Sequence, residues 1–274
     1  RIRWPSLAAY YAELSPNLRS SLSRLSRRLS EAGCTEVVSS RDPACLPALF
    51  ELYLEVEERS WKANVGAGVC RSPLRENYMR ELMRNRRLLE VDIKILLLEG
   101  VAISGIMTGA FGNSRYLLQL SYDAALAKLG PGSPMLALCV RDSLLEGRTE
   151  FNFLNGFAFY KTRWLADVTP TRIMQIYRRG SLPDWRRRIG DLKRRLGRRQ
   201  ENQTPIYGNP QRIAAEQGGD PVEKAAGETL WQACPARAQA TAVALQAAEA
   251  AGTLQRLAAA DWLRLMPGKQ FRPD

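Results

Sequence analysis

The sequence predicts an α/β fold, with a mixed, mostly antiparallel sheet flanked by helices and a C-terminal helical appendage. Apolar residues repeat at helical spacing in the first third of the chain. Three short runs rich in Val, Ile, Leu and Tyr follow, and helix and strand patterns then alternate. At 274 residues the chain is long enough to bury a sizeable core.

The first third predicts helices. Ser15 and Pro16 are typical of a helix start, and the leucines after them repeat at helical spacing until Gly33, namely Leu18, Leu22, Leu25 and Leu29. Two further helices are predicted to begin at Asp42-Pro43 and at Ser72-Pro73. The apolar stripe of the last helix is Leu74, Tyr78 and Leu82. We therefore expect this part of the chain to be helical.

Strands are predicted from residue 88 onward. Tight turns at Glu99-Gly100 and Gly112-Asn113 separate three apolar runs, which predicts an antiparallel meander of three strands. Four more elements follow: a helix from Ser133-Pro134 to Glu146, a strand over 149–154, a short helix over 156–164 and a last strand over 170–179.

The composition excludes several classes of function. There is no histidine, which removes Ser-His-Asp and Cys-His hydrolysis and H-E-x-x-H zinc chemistry. The five cysteines lie far apart without a C-x-x-C pair, so we expect reduced core thiols, no disulfide framework and no metal site. Lys94, Glu99 and several glycines interrupt the apolar stretch 93–111, which argues against a transmembrane helix.

The N-terminal residues lack the pattern of a secretory signal, and we expect a cytoplasmic protein. Because the sequence does not begin with Met, we also expect it to be an excerpt of a longer protein. Composition divides the chain into a main domain over 1–180, a basic amphipathic helix over 181–199, a linker over 200–222 and an Ala-rich helical region over 223–274. In the last region Leu254, Leu257, Ala258, Trp262 and Leu265 follow helical spacing.

Positive charge is concentrated in one segment. Residues 178–199 contain ten Lys or Arg against two Asp, and so carry +8 of the net charge of +12. A helix through 184–199 would place four apolar residues on one stripe among the arginines, namely Trp185, Ile189, Leu192 and Leu196. Such a helix docks on an anionic membrane, binds RNA, or packs its stripe on the domain. The sequence leaves these three alternatives open.

A glycine-containing loop predicts a phosphate site. Lys128, Gly130, Gly132 and Ser133 lie between a predicted strand and a predicted helix. Glycines expose backbone N–H groups at such a bend, and the helix dipole adds positive potential, so the loop can hold the pyrophosphate of coenzyme A. The alternative is a plain turn in which Ser133 caps the helix.

Several features in a fixed order resemble one family. They are an Arg-rich helix over 22–29, Arg59-Ser60-Trp61 at a helix end, the turn at 98–102, Tyr122-Asp123 before Gly130-Pro131-Gly132, and the segment 151–156 before Tyr160-Lys161 and Trp164. This order extends over about half of the chain. It resembles the CelD/BcsL-like branch of the GNAT acyltransferase superfamily, which is related to the Fem-type peptidoglycan aminoacyltransferases.

The resemblance implies an N-acyltransferase with acetyl-CoA or another acyl-CoA as cofactor. The acceptor would be an amine of a small molecule or a glycan, in polysaccharide or cell-envelope biosynthesis. The residues that the resemblance places against the cofactor are Lys128, Gly130, Gly132, Ser133, Leu120 and Tyr122. A backbone N–H within 119–122 would polarise the thioester carbonyl, and Tyr160 would protonate the departing thiolate.

The acceptor side of the predicted site has further candidates. Asp123 would act as a base through water or bind the substrate amine, and a turn-forming Asp is the alternative. The residues expected to contact substrate are Trp61, Asn152, Lys161 and Trp164. The solvated face of a short helix also explains Lys161 and Arg163, and a place in the core or in a cleft wall explains the tryptophans. Asn152 stands where the family pattern has Asp, and Ala158 lies where the pattern has a nearby acidic residue.

Two other functions stay open at this stage. A Fem-like enzyme would use aminoacyl-tRNA as its donor, which suits the basic segment. A non-catalytic basic module would bind nucleic acid or an anionic membrane surface, and would place the protein at the inner face of the membrane.

Overall fold

The computed structural model describes residues 1–154, 159–168, 178–196 and 235–258. The strands are β1 Thr35–Ser40, β2 Glu90–Leu98, β3 Val101–Phe111, β4 Ser114–Tyr122, β5 Glu150–Asn152 and β6 Gln255–Ala258. They form one sheet in the order β5-β4-β3-β2-β1-β6. All neighbours are antiparallel except the parallel pair of β4 and β5. The predicted mixed, mostly antiparallel sheet is confirmed.

Helices occupy both faces of the sheet. They are α1 Leu7–Glu13, α2 Pro16–Ala32, α3 Leu46–Glu58, α4 Trp61–Asn64, α5 Pro73–Arg84, α6 Gly132–Leu145, α7 Phe159–Thr162, α8 Leu182–Leu196 and α9 Pro235–Ala251. Short 3-10 helices span Val69–Arg71 and Ala124–Leu129. Within the described part of the chain, no helix has the length and apolar composition needed to cross a membrane.

The sheet separates two cores. Side chains of α1, α2 and α6 pack on one face, and those of α3, α5 and α9 pack on the other. Strand β2 contributes to both, because Leu96 and Leu98 enter the first core while Ile95 and Leu97 enter the second. The C-terminal half of β2 is buried on both faces and is a continuous apolar run, whereas polar and apolar residues alternate in its first half.

The predicted α2 and the three-strand meander are confirmed. The Ser15 hydroxyl accepts a hydrogen bond from the Leu18 N–H at 3.2 Å, and Gly33 follows the last turn with a φ of 146°. In the turn between β2 and β3, Glu99 and Gly100 both have positive φ, as a type I′ hairpin turn requires. Local signals thus place these elements correctly.

Three predictions for the first third are wrong in detail. The segment is not entirely helical, because β1 lies between α2 and α3. Helix α3 begins at Leu46, since the Asp42 carboxylate instead closes a turn by accepting from the Ala44 N–H at 3.1 Å. On α5 the predicted stripe is only partly correct, because Leu74 is exposed whereas Leu82 packs half-buried against the core, to which Met79 also belongs.

The C-terminal region differs from the prediction of helix alone. Residues 255–258 form β6, which pairs with β1 at the sheet edge, so the predicted helix through Leu257 and Ala258 is wrong. Helix α9 packs beside α3, and the Cys45 Sγ lies 3.0 Å from the Ala248 carbonyl oxygen. The predicted strand over 170–179 falls largely outside the described residues, and the predicted linker over 200–222 falls wholly outside them.

The described cysteines are all free thiols. Cys45 and Cys139 are buried, as expected of core thiols, and Cys70 is half-buried. Cys34 is exposed, so the core prediction is wrong for that residue. Cys234 lies outside the described residues.

Candidate active site

Strand β4 separates from β5 along its second half. The two strands pair only where residues 114–116 meet residues 150–152. A register shift between the Met107 and Thr108 pairs leaves Leu118 as an extra residue in β4, and such a bulge bends a strand. Residues 117–122 therefore form an open edge, meaning a stretch of β4 that β5 does not pair with in the described part of the chain. Its backbone donors and acceptors can meet a ligand.

The chain after the open edge forms a compact loop that leads into α6. Gly130 ends the 3-10 helix with a left-handed φ of 57°. Its N–H donates to the Ala127 carbonyl at 3.0 Å, and the Ser133 N–H donates to the Gly130 carbonyl at 3.3 Å. Pro131 has no N–H. A phosphate at this bend would therefore bind first through the Gly132 N–H, at the beginning of α6.

Both glycines of the loop lie against neighbouring side chains. A Cβ atom on Gly130 would lie 2.8 Å from Leu25 Cδ2. A Cβ on Gly132 would lie 3.3 Å from Tyr122 Cδ1 and 3.7 Å from Leu120 Cδ2. The structure therefore brings three of the predicted cofactor residues, Leu120, Tyr122 and Gly132, into direct proximity.

Lys128 is exposed on the same loop. Its backbone carbonyl accepts a hydrogen bond from Arg28 Nη1 of α2 at 3.2 Å. This contact holds the loop against α2 and brings a second cation close to it. Positive charge beside a helix N-terminus suits an anionic ligand.

A buried carboxylate that the sequence analysis missed lies beside the open edge. Glu57 of α3 is fully buried. Its Oε1 accepts hydrogen bonds from the Tyr53 hydroxyl at 2.8 Å and the Ser121 hydroxyl at 3.2 Å, and its Oε2 accepts from the Cys70 N–H at 3.0 Å. Burial, reinforced by the Glu57 charge, raises the pKa of Tyr53 well above its usual value. The sequence signal was available, because Glu57 falls on the same helical face as Phe50 and Tyr53.

Lys62 of α4 extends to the open edge. Its Nζ donates to the Leu120 carbonyl at 2.7 Å and to Gln119 Oε1 at 3.1 Å, and it lies 3.9 Å from Glu57 Oε1. Burial lowers the pKa of Lys62, and the Glu57 charge only partly offsets this effect. A ligand that approaches the Leu120 carbonyl therefore also meets the Lys62 ammonium group. No sequence motif marked this residue, since the contact joins segments far apart in the chain.

Asp123 is held by two donors of the chain itself. Arg59 Nε donates to Asp123 Oδ2 at 2.7 Å, and the Ala125 N–H donates to Oδ1 at 3.0 Å. Arg59 Nη2 also donates to the Ala102 carbonyl at 2.7 Å. This arrangement corresponds to the turn-forming alternative for Asp123, with Arg59 joining α3 to the end of β4. A role of Asp123 as base or amine ligand stays a prediction.

A second group of predicted residues lies around the end of β5, on the other side of the gap where β4 and β5 separate. Lys161 Nζ of α7 donates to the Phe153 carbonyl at 2.9 Å, which folds α7 back on this strand. Burial lowers the pKa of Lys161 and raises the pKa of Tyr160, which is 37% exposed. Asn152 Nδ2 donates to Glu150 Oε1 at 2.8 Å. The predicted residues therefore form two groups, one after β4 and one after β5.

The two tryptophans differ in their surroundings. Trp61 is 49% exposed at the beginning of α4, next to Lys62, and is available as a cleft wall. Trp164 is 5% exposed, and its carbonyl accepts from the Tyr10 hydroxyl at 3.3 Å. Trp164 packs in the core, which corresponds to the core alternative for this residue, and its assignment as a substrate contact stays a prediction.

A cavity of about 580 Å³ lies away from the open edge, between β1, β2, the C-terminal half of α6 and residues 253–255. The charged residues that line it are Arg41, Asp42, Arg86, Asp92, Lys94, Arg141, Asp142 and Glu146. Lys94 Nζ contacts Asp92 at 3.1 Å and Asp142 at 3.2 Å, which joins β2 to α6. The cavity wall has as many cations as anions, and most of them pair with one another. The presence of these charged residues is therefore accounted for by the contacts that they make within the fold.

Comparisons with known proteins bear on the same region. No curated protein is significantly similar to the chain. A solved aminoglycoside acetyltransferase from an uncultured soil metagenomic sample, in complex with trehalose, shares 14% identity and aligns with a TM-score of 0.39 over 53% of this chain and 97% of that one. Residues 16–162, more than half of the 274, match the family described as "Acetyltransferase (GNAT) domain". They include the open edge, the glycine loop and α7, and the chain belongs to the GNAT acetyltransferase family.

Proposed function

We propose that this chain is an N-acyltransferase that uses acetyl-CoA or another acyl-CoA as donor and an amine as acceptor. The observation that carries the proposal is the open edge of β4, which leads within ten residues into the N-terminus of α6. A thioester donor needs hydrogen-bond donors at its carbonyl oxygen and positive potential at its phosphates. A free strand edge followed by a helix N-terminus supplies both.

The loop at 128–133 suits the phosphates of coenzyme A. Helix α6 spans 14 residues and directs its dipole toward the loop. The Gly132 N–H and the exposed Lys128 are the first groups that would hold a diphosphate there. The packing of Tyr122 against Gly132 leaves no room for a side chain at that position without a shift of the ring. When bound, the cofactor supplies an acyl group activated as a thioester.

The chain's own groups have separate tasks in this scheme. Backbone N–H groups within 119–122 would polarise the acyl carbonyl. Tyr160 is protonated at neutral pH, as a phenol ordinarily is, and burial raises its pKa further, so its hydroxyl is present to give a proton to a departing thiolate. Asp123, fixed by Arg59, would orient the end of the open edge and accept the amine proton through water.

A second donor class is favoured by one observation. Several arginines at the beginning of α8 are exposed, and an aminoacyl-tRNA donor of the Fem type would be attracted to them. The link to polysaccharide or cell-envelope biosynthesis and the CelD/BcsL-like branch are supported only by the sequence resemblance, and both stay part of the proposal.

The test measures thiol release by the full chain from acetyl-CoA and longer acyl-CoAs with a panel of amines, beside aminoacyl-tRNA as competing donor. We expect turnover with an acyl-CoA. Tyr160→Phe should lower kcat by about 100-fold and leave the donor KM unchanged, because the acid acts only in the transition state. Tyr78→Phe is the matched control, since Tyr78 is exposed on α5.

One outcome would contradict the proposed donor, and two would contradict the proposed role of Tyr160. Transfer from aminoacyl-tRNA alone would assign the donor to the Fem type. An equal loss of kcat and donor affinity in Tyr160→Phe would make Tyr160 a binding residue. Retention of full turnover in Tyr160→Phe would remove it from the mechanism.

A further inference from the structure

The first two turns of α8 present an apolar stripe to solvent. Leu182, Trp185 and Ile189 are 76%, 57% and 49% exposed. Their spacing of three and four residues places them on one side of the helix. Helix α8 has no extended contact with any other element among the described residues. The alternative in which this stripe packs on the domain is therefore not what the described part of the structure shows.

Arginines surround this stripe. Five exposed arginines lie in and just before α8, namely Arg178, Arg179, Arg186, Arg187 and Arg188. At 100° per residue, Arg186 and Arg188 lie on opposite flanks of the stripe. Charge on both flanks of an apolar stripe is typical of a helix that lies in the plane of a membrane surface.

The acidic residue in the first turn of α8 is already neutralised. Asp184 is buried and accepts hydrogen bonds from the Gly180 N–H at 3.1 Å and from Arg187 Nη2 at 3.3 Å. Arg188 Nε lies 3.1 Å from its second oxygen. Ser181 Oγ accepts from the Asp184 N–H at 3.4 Å and caps the helix, while the Asp184 carboxylate in the first turn orients two arginines without presenting negative charge to a partner.

We propose that α8 is an interfacial helix whose partner is an anionic lipid surface. Leu182, Trp185 and Ile189 would enter the headgroup region, where an amphipathic indole is favoured, while the flanking arginines contact lipid phosphates. An RNA partner would use the arginines but would leave Leu182 and Ile189 exposed. A membrane surface would contact both the apolar stripe and the flanking arginines. This inference does not depend on the acyl transfer proposed above.

The test is cosedimentation of the full chain with vesicles of phosphatidylcholine alone and of phosphatidylcholine mixed with phosphatidylglycerol. We expect binding to the anionic vesicles, weak binding to the neutral ones, and loss of binding as salt is raised. Ile189→Ser should weaken binding about tenfold by removing apolar area. Replacement of Arg186, Arg187 and Arg188 by Gln should weaken it roughly 100-fold.

A matched control removes the same charge from a helix whose apolar face is covered. Arg24, Arg27 and Arg28 are exposed on α2, and Leu22 and Leu29 of that helix are fully buried. Replacing these three arginines by Gln should change vesicle affinity less than threefold, because α2 has no free apolar stripe. Far-ultraviolet circular dichroism of each variant checks that it is folded.

Each other outcome would overturn the inference. Equal losses in the α8 and α2 triple variants would mean that net charge alone attracts the vesicles. An Ile189→Ser variant that binds as the parent does would exclude insertion of the stripe. Failure of the parent to bind anionic vesicles, with salt-sensitive binding to single-stranded RNA instead, would assign α8 to nucleic acid.

Discussion

The pair of Glu57 and Lys62 gives the sharpest stability prediction near the candidate site. The carboxylate is fully buried, and the ammonium nitrogen lies 3.9 Å from its Oε1 with the side chain 18% exposed. Two opposite charges at this distance attract by about 4 kcal/mol at an effective dielectric constant near 20. Desolvation works against this attraction, and it is the larger effect on Lys62, because the pKa of Lys62 is lowered rather than raised.

The net contribution of the pair to the free energy of unfolding must therefore be smaller than the Coulomb attraction. We expect Lys62→Met to lower the free energy of unfolding by about 2 kcal/mol, since it leaves Glu57 buried without its nearby cation. The hydrogen bonds from Tyr53, Ser121 and the Cys70 N–H keep the loss from being larger. In a double-mutant cycle with Glu57→Gln, the coupling energy should be about 1–3 kcal/mol.

Urea unfolding of the four proteins of the cycle measures this coupling. The matched control is the exposed pair of Arg27 and Glu31 on α2, whose charged atoms are 3.4 Å apart. A cycle on that pair should give about 0.5 kcal/mol or less, because solvent screens an exposed pair of this kind. A Glu57–Lys62 coupling energy no larger than that of the Arg27–Glu31 pair would refute the conclusion that these two charges stabilise each other beside the open edge.

Two further predictions concern the fold. Burial raises the pKa of Glu146, but the hydrogen bond from Arg41 and other neighbouring cations outweigh burial and hold this pKa at about 2. The resulting stabilisation exists above about pH 4.5 and is lost as pH falls toward 2, so Glu146→Gln should cost roughly 2 kcal/mol at neutral pH and little in acid, by urea unfolding at each pH. Gly130→Ala should lower Tm more than Gly147→Ala, because both have left-handed φ but only the first would place a Cβ against Leu25. Equal changes in Tm for the two glycine variants would mean that the Leu25 contact relaxes without cost. A loss of unfolding free energy in Glu146→Gln that does not change with pH would contradict the lowered pKa of Glu146.

Elements with local signals could be predicted from the sequence. The Ser15 cap and the leucine repeat define α2, and the turn at Glu99-Gly100 defines the hairpin, because both depend on residues close together in the chain. The beginning of α6 after the glycine loop was predicted for the same reason, and the structure has it at Gly132. These elements position the predicted cofactor side of the site.

Elements that depend on distant partners could not be predicted. Strand β1 has six residues and β6 has four, too few to distinguish a period of two from helical spacing. Their conformation is fixed by pairing, since β1 lies between β2 and β6. The contact of Lys62 with the Leu120 carbonyl is non-local in the same way, as it joins α4 to β4. The polar contacts around the open edge could therefore not be predicted from the sequence.

The resemblance to the CelD/BcsL-like branch predicts Asp at position 152, and the Asn found there has a physical explanation in this chain. Asn152 donates through Nδ2 to Glu150 Oε1 at 2.8 Å and accepts through Oδ1 from the Leu154 N–H at 2.8 Å. An aspartate could accept from the same N–H, but its second oxygen would face the Glu150 carboxylate as a like charge. A neutral amide can donate and accept at once, so Asn152 is the side chain that satisfies both neighbours. Because Asn152 already makes both of these contacts, the proposed reaction assigns its proton transfers to Tyr160 and Asp123, as the sequence predicts.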